Sequence, residues 1–330
     1  MNQVGYPVTD VQDNKDELEV LQKENAALKK IVRSLKDKIN KVGVDEEKSP
    51  LWRALGHFYS PVANIEDIKA DEARIFNRDR RTLPGIGLNE DKQLAVLEEF
   101  ASFYDDIPFG DEPSDKMRYG FLNGGYSYSD AISLYSMMRR VKPKRIVEVG
   151  SGYSSCCMLD TNDAFFNGDI DIRFVEPYPQ LLKSLVRPSD LETREIIEKR
   201  VQDVDIEVFT SLQENDILFV DSTHVSRVGS DVNHMFFEIL PHINEGVYVH
   251  FHDIHYPFEY PEHWVYQGRW WTETYLLRAF LEFNSDFEIV YTNTFMQRFH
   301  REFFEERMPL CLKNQGASIW LRRKKKSTEE

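Results

Sequence analysis

The spacing of apolar positions changes character along the chain. From Leu18 to Val42 it follows a seven-residue repeat. Leu18, Asn25, Val32 and Ile39 occupy one position, and Leu21, Leu28, Leu35 and Val42 the other. No Pro or Gly interrupts this stretch. A β-branched residue or Asn at the first position with mostly Leu at the second predicts a coiled coil, with Asn25 fixing register in the seam. Glu24 and Lys29 fall where charges pair between helices. Ile31 widens the stripe, which leaves the number of chains open. A different pattern, Leu94, Leu97, Phe100 and Tyr104 in QLAVLEEFASFY, predicts an amphipathic helix between two turn-rich stretches. From about Tyr126, short apolar runs alternate with helical segments. RIVEV, DIRFVEP, DILFVDS, GVYVHFHD, FEIVYTN and ASIWLRR read as strands. SDAISLYSMMRRV, PQLLKSLV, HMFFEILPHI and TETYLLRAFLEF read as helices. That alternation predicts a mainly parallel sheet flanked by helices.

The expected organisation is a flexible leader (1–12), a coiled-coil oligomerisation helix (13–44), a linker and helical cap (45–125), an α/β domain (126–325) and a short tail (326–330). Hydrophobic residues make up 41% and aromatics 13% of the 330 residues, enough for a large core and incompatible with wholesale disorder. Lys and Arg number 41 against 56 Asp and Glu, a net charge of −15. Such a chain is a poor partner for nucleic acid, which needs clustered cations. Three cysteines without a CxxC spacing argue against a disulfide framework. There is no basic start followed by an apolar run and no apolar stretch long enough to span a membrane, so a cytoplasmic protein is expected.

In open parallel sheets, ligands bind beyond the carboxyl ends of the strands, and the chemically loaded residues stand there. Glu148-Val-Gly150-Ser-Gly152-Tyr-Ser-Ser155 follows a strand and opens a helix, where glycines let the backbone approach a ligand. Ser155 stands where a dinucleotide fingerprint has its third glycine. Glu176 ends the next strand and suits the ribose hydroxyls of either NAD or an adenosyl cofactor. Gln202 and Asp203 offer polar groups to an adenine amine. Asp221 ends the apolar strand ILFV, and His224 follows three residues later as a candidate proton acceptor. His250, His252, Asp253 and His255 form a cluster of the kind that binds divalent metals.

Taken together, E-V-G-S-G-Y-S-S after a strand, Glu176 ending the next, and Asp221 and Asp253 ending two later strands resemble a class I S-adenosylmethionine-dependent methyltransferase. Within that class the chain is most similar to the family 24 type, close to macrocin-type sugar O-methyltransferases and cephalosporin-hydroxylase-like proteins. FVDSTH resembles their DG-x-H segment and HFHD their segment ending in an acidic metal ligand. Ser222 replaces the commoner Gly, and His252 stands where a second acid is common. The resemblance implies a Rossmann-like, doubly wound seven-stranded sheet with an antiparallel last strand. It implies cofactor contacts from Glu148, Gly150, Ser151, Gly152, Tyr153 and Ser154, ribose contacts from Glu176, and adenine contacts from Gln202 and Asp203. Asp221, His252 and Asp253 would hold Mg²⁺ or another divalent metal, with Asp221 and His224 catalytic and His224 the general base. The implied acceptor is a sugar or glycan hydroxyl. Aromatics around Tyr126–Tyr128 and Tyr256–Trp264, with Trp270 and Trp271, would stack on it. The alternatives are N-methylation of an amino sugar and a metal-dependent hydrolase built on His250–His255. A nicotinamide oxidoreductase would need a complete GxGxxG, which is absent.

Overall fold

The structure is a computed structural model that describes residues 21, 24–26, 28–34 and 52–326. The leader 1–12 and the heptad positions Leu18, Leu35, Ile39 and Val42 lie outside the described residues. The chain divides into two compact units, Met1–Ile75 and Phe76–Glu330.

In the first unit, the described positions between 21 and 34 are helical, and Leu21, Leu28, Ile31 and Val32 are exposed. Two short helices, Ile65–Ala70 and Glu72–Ile75, follow. The Asn64 side chain caps the first by accepting the Glu66 N–H at 2.9 Å, filling one of the donors that a helix start leaves open.

The second unit is built on seven strands: β1 (Arg145–Val149), β2 (Asp171–Val175), β3 (Glu195–Ile197), β4 (Ile217–Val220), β5 (Tyr248–His252), β6 (Phe287–Thr292) and β7 (Ser318–Arg323). Their order is β3-β2-β1-β4-β5-β7-β6. The first five are parallel, and β7 runs antiparallel between β5 and β6. Six strands coincide with the apolar runs read from the sequence. The seventh, β3, has three residues at the sheet edge and too little apolar pattern to be seen there. Central strands β4 and β5 are buried throughout, as strands covered on both sides must be.

The segment 76–125, expected within a linker and helical cap, belongs to the same unit as the sheet. Its helix Glu90–Phe103 buries Val96, Leu97 and Phe100 and packs against the helix Tyr128–Val141 and β6. Tyr128–Val141 packs in turn on the helix Tyr153–Phe166. HMFFEILPHI starts at the last residue of a short helix, Asp231–His234, and continues as a π-helical turn, Met235–Ile239. Among the described residues, no helix is long and apolar enough to cross a membrane. All three cysteines are free and buried. Burial pushes the Cys156 thiol, beside the glycine loop, up to about 12, so it stays protonated and unreactive.

Candidate active site

The strand order reverses between β1 and β4, and the glycine loop sits at that switch point. The Gly150 N–H donates to the Val175 carbonyl at 3.0 Å, and the Asp221 N–H to the Val149 carbonyl at 2.8 Å. Gly150 has φ +81°, and a Cβ there would lie 1.7 Å from the Asp221 carbonyl oxygen. Only glycine fits this crossing of backbones. Ser155, in place of a third glycine, braces the loop: its Oγ accepts the Gly152 N–H at 3.0 Å. Glu148 is fully buried beneath it, accepting from the Ser154 hydroxyl at 2.6 Å and from that of Ser155. Burial pushes the Glu148 carboxyl up to about 8, against the pull of those hydroxyls. Glu148 therefore shapes the loop from behind. Tyr153 lies against Gly125, where a Cβ would come within 3.3 Å of its ring.

On the ligand side, Glu176 accepts the Ser151 N–H at 3.2 Å and the Tyr178 N–H at 2.8 Å. Gln202 donates to the Gly229 carbonyl at 2.9 Å, while its Oε1 is buried without a partner. Asp203 is exposed and gives both oxygens to Arg200, at 2.7 and 3.0 Å. Its carboxylate is thereby engaged at the surface.

The carboxyl ends of β4 and β5 bring a second group together. Ligand atoms of Asp221, His252 and Asp253 all lie within 4.8 Å of one another. His224 joins them, its Nε2 at 3.3 Å from Asp221 and 3.4 Å from Asp253. The sequence reading missed the fifth member, Glu273, in the first turn of the helix Glu273–Leu281. Its Oε2 lies 2.8 Å from His224 Nδ1. The N–H groups of Thr272 and Glu273 also donate to the His224 carbonyl, at 2.9 and 3.1 Å. Both the ring and the backbone of His224 are thus tied to one helix start. His224 and Asp253 have φ of +60° and +56°, a left-handed conformation that non-glycine residues adopt mainly at constrained sites.

Electrostatics in this group are lopsided. Burial opposes charge on His224, yet hydrogen bonds to Asp221 and Glu273 outweigh it and hold the imidazole well above its usual range. Burial likewise opposes charge on His252, and Asp253, Asp221 and Asp130 outweigh it. Asp221 is pushed up by burial but held below the usual carboxylate range by His252 and His224. Asp253 stays above that range because burial and Asp221 exceed what the imidazoles supply.

The histidine run itself does not converge. His250 shares a strand face with His252, their rings 6.0 Å apart, but lies one repeat deeper. It stacks on Phe219 at 3.9 Å, meets Trp320 edge-on at 4.8 Å and is fully buried. Burial and His252 hold it well below its usual range, so it is a neutral core residue. That removes the basis for a hydrolase using the whole run. His255 instead lines a cavity of about 740 Å³ whose wall includes His252 and Asp253. Of the aromatics expected near an acceptor, Trp271 tilts against the His224 ring at 4.5 Å and meets Trp264 at 5.3 Å.

A family model described as a methyltransferase domain matches residues 147–254, from β1 to just past β5. An uncharacterised protein of Archaeoglobus fulgidus is 38% identical over 177 residues, 52% of this chain and 78% of its own length. Among solved structures, SAH-bound PaMTH1, a methyltransferase of Podospora anserina, aligns at 16% identity over 79% of this chain and 97% of its own, with a TM-score of 0.40. The O-methyltransferase TomG of Streptomyces achromogenes, in complex with SAM, aligns at 14% identity over 79% of this chain and 96% of its own, with a TM-score of 0.37. Residues 147–254 thus belong to that methyltransferase-domain family, and the sheet order and glycine loop around them are those of a class I S-adenosylmethionine-dependent methyltransferase.

Proposed function

We propose that this methyltransferase acts on an oxygen of a small hydroxylated acceptor, a sugar or glycan hydroxyl, with a divalent cation and a histidine base assisting. One juxtaposition carries the reading: His224 Nε2 lies within 3.4 Å of both Asp221 and Asp253. Asp253 and its neighbour His252 also line the cavity, so the same groups face both a metal position and an acceptor.

The residues present fit both S-adenosylmethionine and a divalent cation. The orphaned Oε1 of Gln202 suits an adenine amine, and Glu176 keeps lone pairs for ribose hydroxyls. Backbone at Gly150, Ser151 and Gly152 would face the methionine part, where a Cβ on Gly152 would meet only Leu181, at 3.4 Å. Tyr153 and Ser154 would support that contact from the helix start. Two carboxylates and an imidazole form a donor set for a divalent ion, and His252 Nδ1 is buried without a partner.

S-adenosylmethionine, when bound, supplies a methyl on a sulfonium that departs as a neutral thioether. A divalent cation at Asp221, His252 and Asp253 would supply Lewis acidity toward an acceptor hydroxyl. His224 takes the hydroxyl proton at Nε2. Glu273 accepts Nδ1–H and so fixes the tautomer that leaves Nε2 open. Nε2 becomes a base only when the charge of Asp221 and Asp253 is taken up by another cation, because those carboxylates otherwise favour the imidazolium. Trp271 covers the His224 ring and helps to hold it in line.

The exposed Leu21, Leu28, Ile31 and Val32 on a helical segment support self-association through the N-terminal repeat. Three unpaired thiols suit a reducing cytoplasm.

Isothermal calorimetry with S-adenosylmethionine, S-adenosylhomocysteine and NAD⁺, with and without Mg²⁺, tests the cofactor assignment. Micromolar binding of the adenosyl ligands alone, about −8 kcal/mol, is expected. Absence of heat from folded protein contradicts it. Among sugar acceptors, Asp221→Asn should lower transfer by orders of magnitude while assembly persists.

A further inference from the structure

Part of the lining of the 740 Å³ cavity is cationic. Arg78 and Arg269 both line it, and among the described residues neither is in an ion pair. Arg78 is half-buried and held in place by donating to the carbonyls of Tyr256 at 3.0 Å and Glu259 at 3.4 Å. Arg269 lies over the rings of Trp264 at 4.5 Å and Trp271 at 5.5 Å, and Trp271 in turn touches His224. The second guanidinium is therefore two contacts from the proposed base. His255 lines the same cavity, buried, edge-on to Trp264 at 5.0 Å, with both ring nitrogens unpartnered. Buried polar atoms in a native fold are normally satisfied, so two open nitrogens on a cavity wall call for a polar ligand.

The carboxylates of the cavity do not balance this wall. Asp130 is engaged by the Asn293 amide at 3.0 Å and the Ala317 N–H at 2.9 Å. Asp253 belongs to the metal cluster, which leaves the exposed Glu262. Among the described residues, neither guanidinium has a carboxylate within ion-pair distance, and a carboxylate or phosphate on the ligand would pair with them in the geometry that arginine favours, which a neutral sugar does not offer.

We infer that the acceptor is an acidic hydroxylated compound, a sugar-like molecule whose carboxylate or phosphate is received by Arg78, Arg269 and His255 while its hydroxyl faces Asp253 and His224. This rests on the methyltransferase reading of the same site.

Calorimetry on the full chain saturated with S-adenosylhomocysteine and Mg²⁺ tests it with D-glucuronate, D-glucose 1-phosphate and D-glucose. At least one anionic sugar should bind roughly ten-fold tighter than glucose, and the two anions distinguish a carboxylate site from a phosphate site. Arg269→Gln, at an exposed position that the fold tolerates, should remove that preference and leave S-adenosylhomocysteine affinity unchanged. Arg78→Gln should do the same, but it also frees two carbonyls, so Arg269 is the cleaner variant. Equal affinities, or no sugar binding while S-adenosylhomocysteine binds, overturns the inference. Failure of S-adenosylhomocysteine itself to bind overturns the underlying reading instead.

Discussion

Two buried charge clusters in the catalytic unit invite comparison. In the first, Arg118 spends its guanidinium on three carboxylates: Asp190 at 2.6 and 2.7 Å, Asp160 at 2.7 Å and Asp163 at 2.8 Å. Asp160 also accepts the Tyr119 N–H at 2.7 Å. The cation faces carboxylates on every side, and the cluster pins the 118–119 segment to two helices. In the second, Asp221, Asp253 and Glu273 confront His224 and His252, the His252 Nδ1 and one Glu273 oxygen are unpartnered, and two backbones are left-handed. The first cluster is closed and serves the fold. The second has carboxylate to spare and ring nitrogens in reserve, the signature of a site that awaits a ligand.

Removing a charge from each should therefore have different consequences. Arg118→Met strands three carboxylates and should cost about 3–5 kcal/mol, read from denaturant unfolding. Asp253→Asn removes a carboxyl that the fold holds above its ordinary range, and Asn tolerates the left-handed backbone. Its unfolding free energy should stay level or rise slightly, while Mn²⁺ affinity falls roughly 100-fold or more, since even outer partners of a metal site contribute 10–100-fold. If both variants lose stability alike, the contrast between the clusters fails.

Glu273→Gln is a gentler cut. It keeps the shape of the His224 partner but not its charge. Methyl transfer should drop roughly 10- to 100-fold with little change in acceptor KM. Imidazole nitrogen shifts measured by NMR should show His224 losing its fixed Nδ1–H tautomer. A purely structural Glu273 would instead change stability and leave those shifts alone.

The last effect is read across pH and concerns Glu148, pushed up to about 8 in the fold. Between about pH 4.5 and 8 the folded chain keeps a proton that the unfolded chain has lost, so stability falls as pH rises through that window. The slope is at most about 1.4 kcal/mol per pH unit. Glu148→Gln should flatten it in unfolding measured at pH 5, 7 and 9.

Much of the sheet was legible because parallel strands buried on both faces must be apolar runs, as ILFV at β4 and YVHFH at β5 are. The edge strand β3, with an exposed Glu195 and half-exposed Ile196 and Ile197, has no such requirement. Within the site, Asp221, His224, His252 and Asp253 were readable because strand ends and short loops keep sequence neighbours together. Glu273 was not: it lies 49 residues from His224 and looks like an ordinary acid in a first helical turn. Alternation correctly put His250 and His252 on one face but could not tell depth along the strand, and depth makes His250 a core residue. For Asp203 the sequence did not show its partner: Arg200, three residues earlier, pairs with its carboxylate at the surface.

The most direct test of the central claim is Mn²⁺ binding to the full chain saturated with S-adenosylhomocysteine, followed by electron paramagnetic resonance in wild type, Asp253→Asn and Asp163→Asn, the last an exposed member of the Arg118 cluster. The account predicts one Mn²⁺ per chain in wild type and in Asp163→Asn, and none in Asp253→Asn. No binding in wild type, or equal binding in all three, would contradict it.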